Sequence, residues 1–82
     1  HAILLVDPED PEEMAAAKSV ATNMANLAIS LEGTCTGEHG IGIGKLDFMP
    51  AQLGYGWNVM GNIKEALDPL NIMNPGKLIK RN

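Results

Sequence analysis

The stretch Ala2-Ile3-Leu4-Leu5-Val6 is followed at once by Asp7-Pro8, and the reading of this aliphatic run decides the fold class. An apolar run this short, stopped by a turn dipeptide, suits a strand buried on both faces better than a helix. The segment beyond it has a different period. Asp10-Pro11-Glu12-Glu13 supplies an N-cap aspartate, a proline at the first helical position and a glutamate placed to close a capping box with the N-cap amide. From Met14 the apolar positions Ala17, Val20, Ala21, Met24, Leu27, Ala28 and Leu31 line one helical face, and Gly33 is placed to end it.

A second helical pattern covers roughly 50–67, where Leu53, Trp57, Met60, Ile63 and Leu67 share a face. Gly54, Gly56 and Gly61 each weaken it by about 1 kcal/mol relative to alanine, so it needs tertiary support. Asp68-Pro69 and Asn74-Pro75-Gly76 then mark the tail as loop and short turns. One strand beside a long helix leaves its backbone edges unpaired. The chain therefore either pairs with copies of itself or is a piece of a larger protein.

Size and charge narrow the function. At 82 residues and 45% hydrophobic content the chain makes at most one small domain. A net charge of -4, with ten acidic against six basic residues and 4% aromatic content, disfavours nucleic acid. The single cysteine, Cys35, excludes an internal disulfide, fits a reducing compartment and reads as a small buried hydrophobe. No apolar run reaches the length of a membrane span, and no signal-peptide pattern is present.

The chemistry concentrates in Gly33-Thr-Cys-Thr-Gly-Glu-His-Gly-Ile-Gly-Ile-Gly-Lys45. A phosphate-cradling P-loop fails because His39 and Leu46 stand where a glycine and a serine or threonine are required. The dinucleotide fingerprint fails because the third glycine comes one residue early. The adjacent Glu38 and His39 offer a hard metal ligand or general base beside a group that takes a proton near neutral pH. Neighbouring side chains serve one site only if the glycines bend the backbone; otherwise both are solvated in a turn.

Taken together, Gly33 to Gly42, Lys45, Ile63-Lys64 with Leu67-Asp68-Pro69, and Ile72-Met73-Asn74-Pro75-Gly76-Lys77 resemble, in order, the C-terminal end of FAD-linked D-2-hydroxyacid dehydrogenases. The resemblance is to the D-lactate dehydrogenase (cytochrome) and glycolate oxidase FAD-subunit branch of the vanillyl-alcohol oxidase superfamily. It implies that residues 1–82 are the C-terminal segment of the substrate and metal domain, with the FAD-binding domain absent. It implies an α+β fold for this fragment: an N-terminal strand, a long helix, a glycine-rich loop that could carry a short second strand, and a C-terminal helix. In the parent these would belong to an antiparallel sheet covered by helices.

The same resemblance implies FAD as cofactor and a divalent metal such as zinc or manganese, with His1 and Glu38 among its ligands and a further histidine upstream. His39 corresponds to the family's active-site base, and Asn74 and Lys77 are weaker candidates for cofactor contact. The implied partners are a small 2-hydroxyacid, the missing FAD domain and further copies of the chain, in the cytoplasm or, in a eukaryote, the mitochondrion. Activity is not expected of the 82 residues alone. The alternatives are a non-catalytic oligomerising module, or a small metal-binding protein using His1, Glu38 and His39.

Overall fold

The computed structural model describes residues 2–80, and these contain helices and turns but no strand. Helix α1 spans Pro11–Ser30, a 3₁₀ turn spans Leu46–Phe48, α2 spans Met49–Leu53 and α3 spans Tyr55–Leu67. The expected α+β class is therefore corrected: residues 2–6 form no ladder, nor does the glycine loop. The physical reason is that a strand is completed by its neighbour's N–H and C=O groups, which an aliphatic run cannot supply to itself. Ile3 and Leu5 are 82% and 91% exposed, and the run lies beside the first half of α1 over a shallow apolar groove with Ala16, Ala17 and Val20.

The start of α1 follows from its sequence. Asp10 sits in the β region and its carboxylate accepts from the Glu12 and Glu13 amides at 3.0 and 3.2 Å, with Pro11 opening the helix. Glu13 does not close a capping box on Asp10. It reaches one turn further back to the Asp7 amide at 3.1 Å, because the Asp10 amide is already given to the Asp7 carbonyl at 3.0 Å.

The end of α1 also differs by one residue from expectation. Glu32, not Gly33, takes the left-handed conformation at φ 65°. The Glu32 amide donates to Ile29 and the Gly33 amide to Ala28, at 3.0 and 2.7 Å, which is the Schellman pattern of bonds. Glycine is still needed at 33, since a Cβ there would stand 3.0 Å from the Ala28 carbonyl oxygen.

The second helical pattern is real but broken in two. Gly54, at φ 54° and ψ -130°, turns the chain between α2 and α3 in a conformation that side chains resist. The small core gathers here: Met49 is fully buried, and Cys35 and Ile79 are buried as well. By contrast Leu27 of α1 and Leu31 just beyond it stay in solvent, as do Ile63 and Leu67 of α3. The radius of gyration, 14.9 Å, exceeds the roughly 12 Å of a compact domain of this length, so the apolar faces are not folded onto one another.

Candidate functional site

The glycine loop bends on both sides of Glu38-His39. Gly37, Gly40 and Gly42 all lie at positive φ, at 57°, 82° and 55°, so the Glu38-His39 pair is flanked on both sides by left-handed backbone. The His39 amide closes a turn on the Thr36 carbonyl at 3.2 Å. Glu38 and His39 are both exposed on this turn. Such a backbone frees neighbouring side chains from the opposite directions that a regular strand would impose.

Bonds to α2 and to the tail hold the loop. At its beginning, Cys35 is buried and its amide donates to the Gln52 Oε1 of α2 at 2.8 Å. Near its end, the Gly42 carbonyl accepts from the Leu78 amide at 2.8 Å. That second bond joins the glycine loop to the tail, which the sequence places far apart.

The tail is organised by α3. Asp68, just beyond that helix, is buried; its carboxylate binds the Lys64 ammonium and accepts from the Ile72 and Met73 amides at 3.1 and 2.9 Å. Lys64 also donates to the Met73 carbonyl. The Lys64 hydrogen bond is the main cause that lowers the Asp68 carboxyl from 3.8 to about 2; burial opposes it, and the two backbone amides reinforce it. Further on, Asn74 and Gly76 take positive φ and the Lys77 amide closes onto the Asn74 carbonyl at 3.3 Å. The Asn74 and Lys77 side chains are exposed, and the Lys77 ammonium donates to the Pro75 carbonyl at 3.3 Å. The tail ends against α3 through the Trp57 indole, which donates to the Leu78 carbonyl at 2.8 Å.

Four of the five expected site residues thus fall on two turns, Glu38 and His39 on one, Asn74 and Lys77 on the other, with the Leu78–Gly42 bond connecting their backbones. His1 lies outside the described residues. Among the described residues no three His, Cys, Asp or Glu side chains gather to hold a metal. Glu38 has the oxygen chemistry a divalent ion takes, but a complete ligand set needs donors from elsewhere. The grooves beside residues 3–6 and between α3 and Ile79 are not lined by Asn74 or Lys77.

Sequence reading missed Trp57, Gln52 and Leu78 as organisers, because their partners are distant in the chain. Lys64 and Asp68 could have been found: opposite charges four residues apart at a helix end, followed by proline, carry that signal.

Comparison with known proteins gives the class of this helical segment and its bent Glu38-His39 turn. Residues 1–78 match the family described as FAD linked oxidases, C-terminal domain, and the chain belongs to that family. It is 41% identical over 81 residues to a probable mitochondrial D-lactate dehydrogenase of Danio rerio, covering 98% of this chain and 16% of that protein. It is 44% identical over 80 residues to the mitochondrial D-lactate dehydrogenase [cytochrome] of Arabidopsis thaliana, covering 96% of this chain and 14% of that protein. To the glycolate oxidase subunit GlcD of Bacillus subtilis (strain 168) it is 35% identical over 82 residues, covering 99% of this chain and 17% of that protein. The chain thus spans only about a sixth of the length of these relatives. No helix among the described residues is long and apolar enough to cross a membrane.

Proposed function

We propose that these residues are the C-terminal segment of the substrate and metal domain of a flavin-dependent dehydrogenase acting on small D-2-hydroxyacids of the lactate or glycolate type. The observation that carries this reading is the 41% to 44% identity to D-lactate dehydrogenases across nearly the whole chain. In this reading the bound flavin supplies the two-electron acceptor. His39 takes the proton from the substrate hydroxyl, a step open to an imidazole exposed on a turn. Glu38 and His1 contribute ligands to a divalent metal whose remaining donors lie upstream, and Asn74 and Lys77 face the flavin. A FAD-binding domain outside these residues completes the enzyme, which works in the cytoplasm or, in a eukaryote, in the mitochondrion.

The exposed apolar faces of α1 and α3 support a larger assembly, since Leu27, Leu31, Ile63 and Leu67 are surfaces that a soluble domain covers. The test uses the full-length protein with FAD bound. Adding D-lactate or glycolate should bleach the flavin, and His39→Ala should slow that bleaching by roughly 10²- to 10⁴-fold while the flavin stays bound. Failure of every small 2-hydroxyacid to reduce the flavin would defeat the reading.

A further inference from the structure

We propose that Trp57 is a positioning residue for the loop that carries Glu38 and His39, acting through Leu78; the catalytic side of this inference rests on the dehydrogenase reading above. The Trp57 indole N–H donates to the Leu78 carbonyl at 2.8 Å, and the Leu78 N–H donates to the Gly42 carbonyl at 2.8 Å. One residue of the tail is therefore held from both sides, by a helix on one and by the glycine loop on the other.

The backbone conformation agrees with this role. Leu78 stands at φ 61°, which leucine keeps only where its surroundings impose it. The bonds to Trp57 and Gly42 straddle its α-carbon and supply that constraint. Gly42, at φ 55° with no atom within 4 Å of where a Cβ would stand, presents its carbonyl through a backbone that other residues resist.

The loop between its two anchors contains the functional pair. Cys35 is tied to α2 through Gln52, Gly42 is tied to Leu78, and Glu38 and His39 lie between them. Release of the second anchor lets the turn shift relative to α2 and α3. A displacement of about 1 Å in a reacting group costs up to roughly 100-fold in rate without removing any group that binds substrate.

The experiment compares wild type, Trp57→Phe, Gly42→Ala and the double variant in the full-length enzyme. Trp57→Phe keeps the ring and removes only the donor. Gly42→Ala strains the same loop from its other end. Each single change should lower kcat about tenfold or more with KM within about twofold, and the double variant should be no slower than the worse single one. Amide exchange at Leu78 and across residues 39–44 should accelerate in Trp57→Phe while α3 keeps its protection.

Multiplicative losses in the double variant, or an unchanged kcat in Trp57→Phe, would overturn the proposal. So would loss of protection throughout α3, which would make Trp57 a structural residue only. A wild-type enzyme that reduces its flavin with no 2-hydroxyacid would defeat the dehydrogenase reading and with it the catalytic role. The exchange data would then still decide whether the Trp57–Leu78–Gly42 connection holds the loop.

Discussion

Lys64 and Asp68 stand one turn apart at the end of α3, and through them that helix governs the tail: the Lys64 ammonium binds the Asp68 carboxylate and the Met73 carbonyl together. The carboxylate in turn holds the Ile72 and Met73 amides. Lys64 and Asp68 are ordinary surface residues by type; the burial of Asp68 makes the arrangement consequential.

The first prediction concerns acid. The Asp68 carboxyl is lowered in the folded chain from 3.8 to about 2, so its contribution to stability is present above about pH 4 and is lost as pH falls towards 2. Trp57 reports the loss, because its indole is bonded to the same tail at Leu78. Its fluorescence should change over that window in wild type and lose that component in Asp68→Asn. Superimposable acid profiles for the two proteins would show that Asp68 does not hold the tail.

Gly54 and Gly56 should respond oppositely to alanine. At Gly54, φ 54° and ψ -130° belong to a region nearly closed to side chains, so Gly54→Ala should destabilise by about 1–3 kcal/mol. At Gly56 the helix is regular and a new Cβ would meet the Leu53 Cβ at an ordinary 3.9 Å, so Gly56→Ala should stabilise by about 0.5–1 kcal/mol. Urea midpoints of the two variants should fall on either side of wild type; shifts of the same sign would contradict the break between α2 and α3.

The C-terminus of α1 carries a similar contrast. Glu32 occupies the left-handed position of the Schellman turn, so Glu32→Gly should relieve strain and stabilise by about 1 kcal/mol or less. Gly33→Ala should destabilise, because its Cβ would press on the Ala28 carbonyl oxygen at 3.0 Å. Thermal melting separates them. If glycine at 32 lowers the melting temperature, the helix ends differently.

At the helix N-terminus, Asp10→Ala removes the acceptor for the Glu12 and Glu13 amides and should cost about 1 kcal/mol, seen as fraying of the first turn of α1 by amide exchange. Unchanged protection there would mean that Glu13 and Asp7 suffice to hold the turn.

Cys35 should resist alkylation in the native protein and react once unfolded. The residue is only 6% exposed and its backbone amide is bonded to Gln52. Rapid native labelling would place the thiol at the surface and release the start of the glycine loop from α2.

How far each feature was legible depended on the range of the interactions that make it. The Asp10-Pro11 start of α1 is written in neighbouring residues, as are the bends at Gly37, Gly40 and Gly42 and the turn at Asn74-Pro75-Gly76. Capping and positive φ act over a few residues, so residue type alone reveals them. The run Ala2 to Val6 misled for the complementary reason: its composition suits a buried strand, but hydrogen-bond partners must come from another segment, and none among the described residues pairs with it.

By itself the sequence determined the long capped helix and, through its ordered motif blocks, membership of the FAD-linked oxidase family. Only the tertiary structure decided the split at Gly54, the burial of Asp68 against Lys64, and the meeting of Trp57, Leu78 and Gly42. The division has one physical cause. Caps, turns and motif spacing are set by local sterics and hydrogen bonds, whereas the connection between loop and tail joins groups more than 30 residues apart and forms only when α2 and α3 have packed.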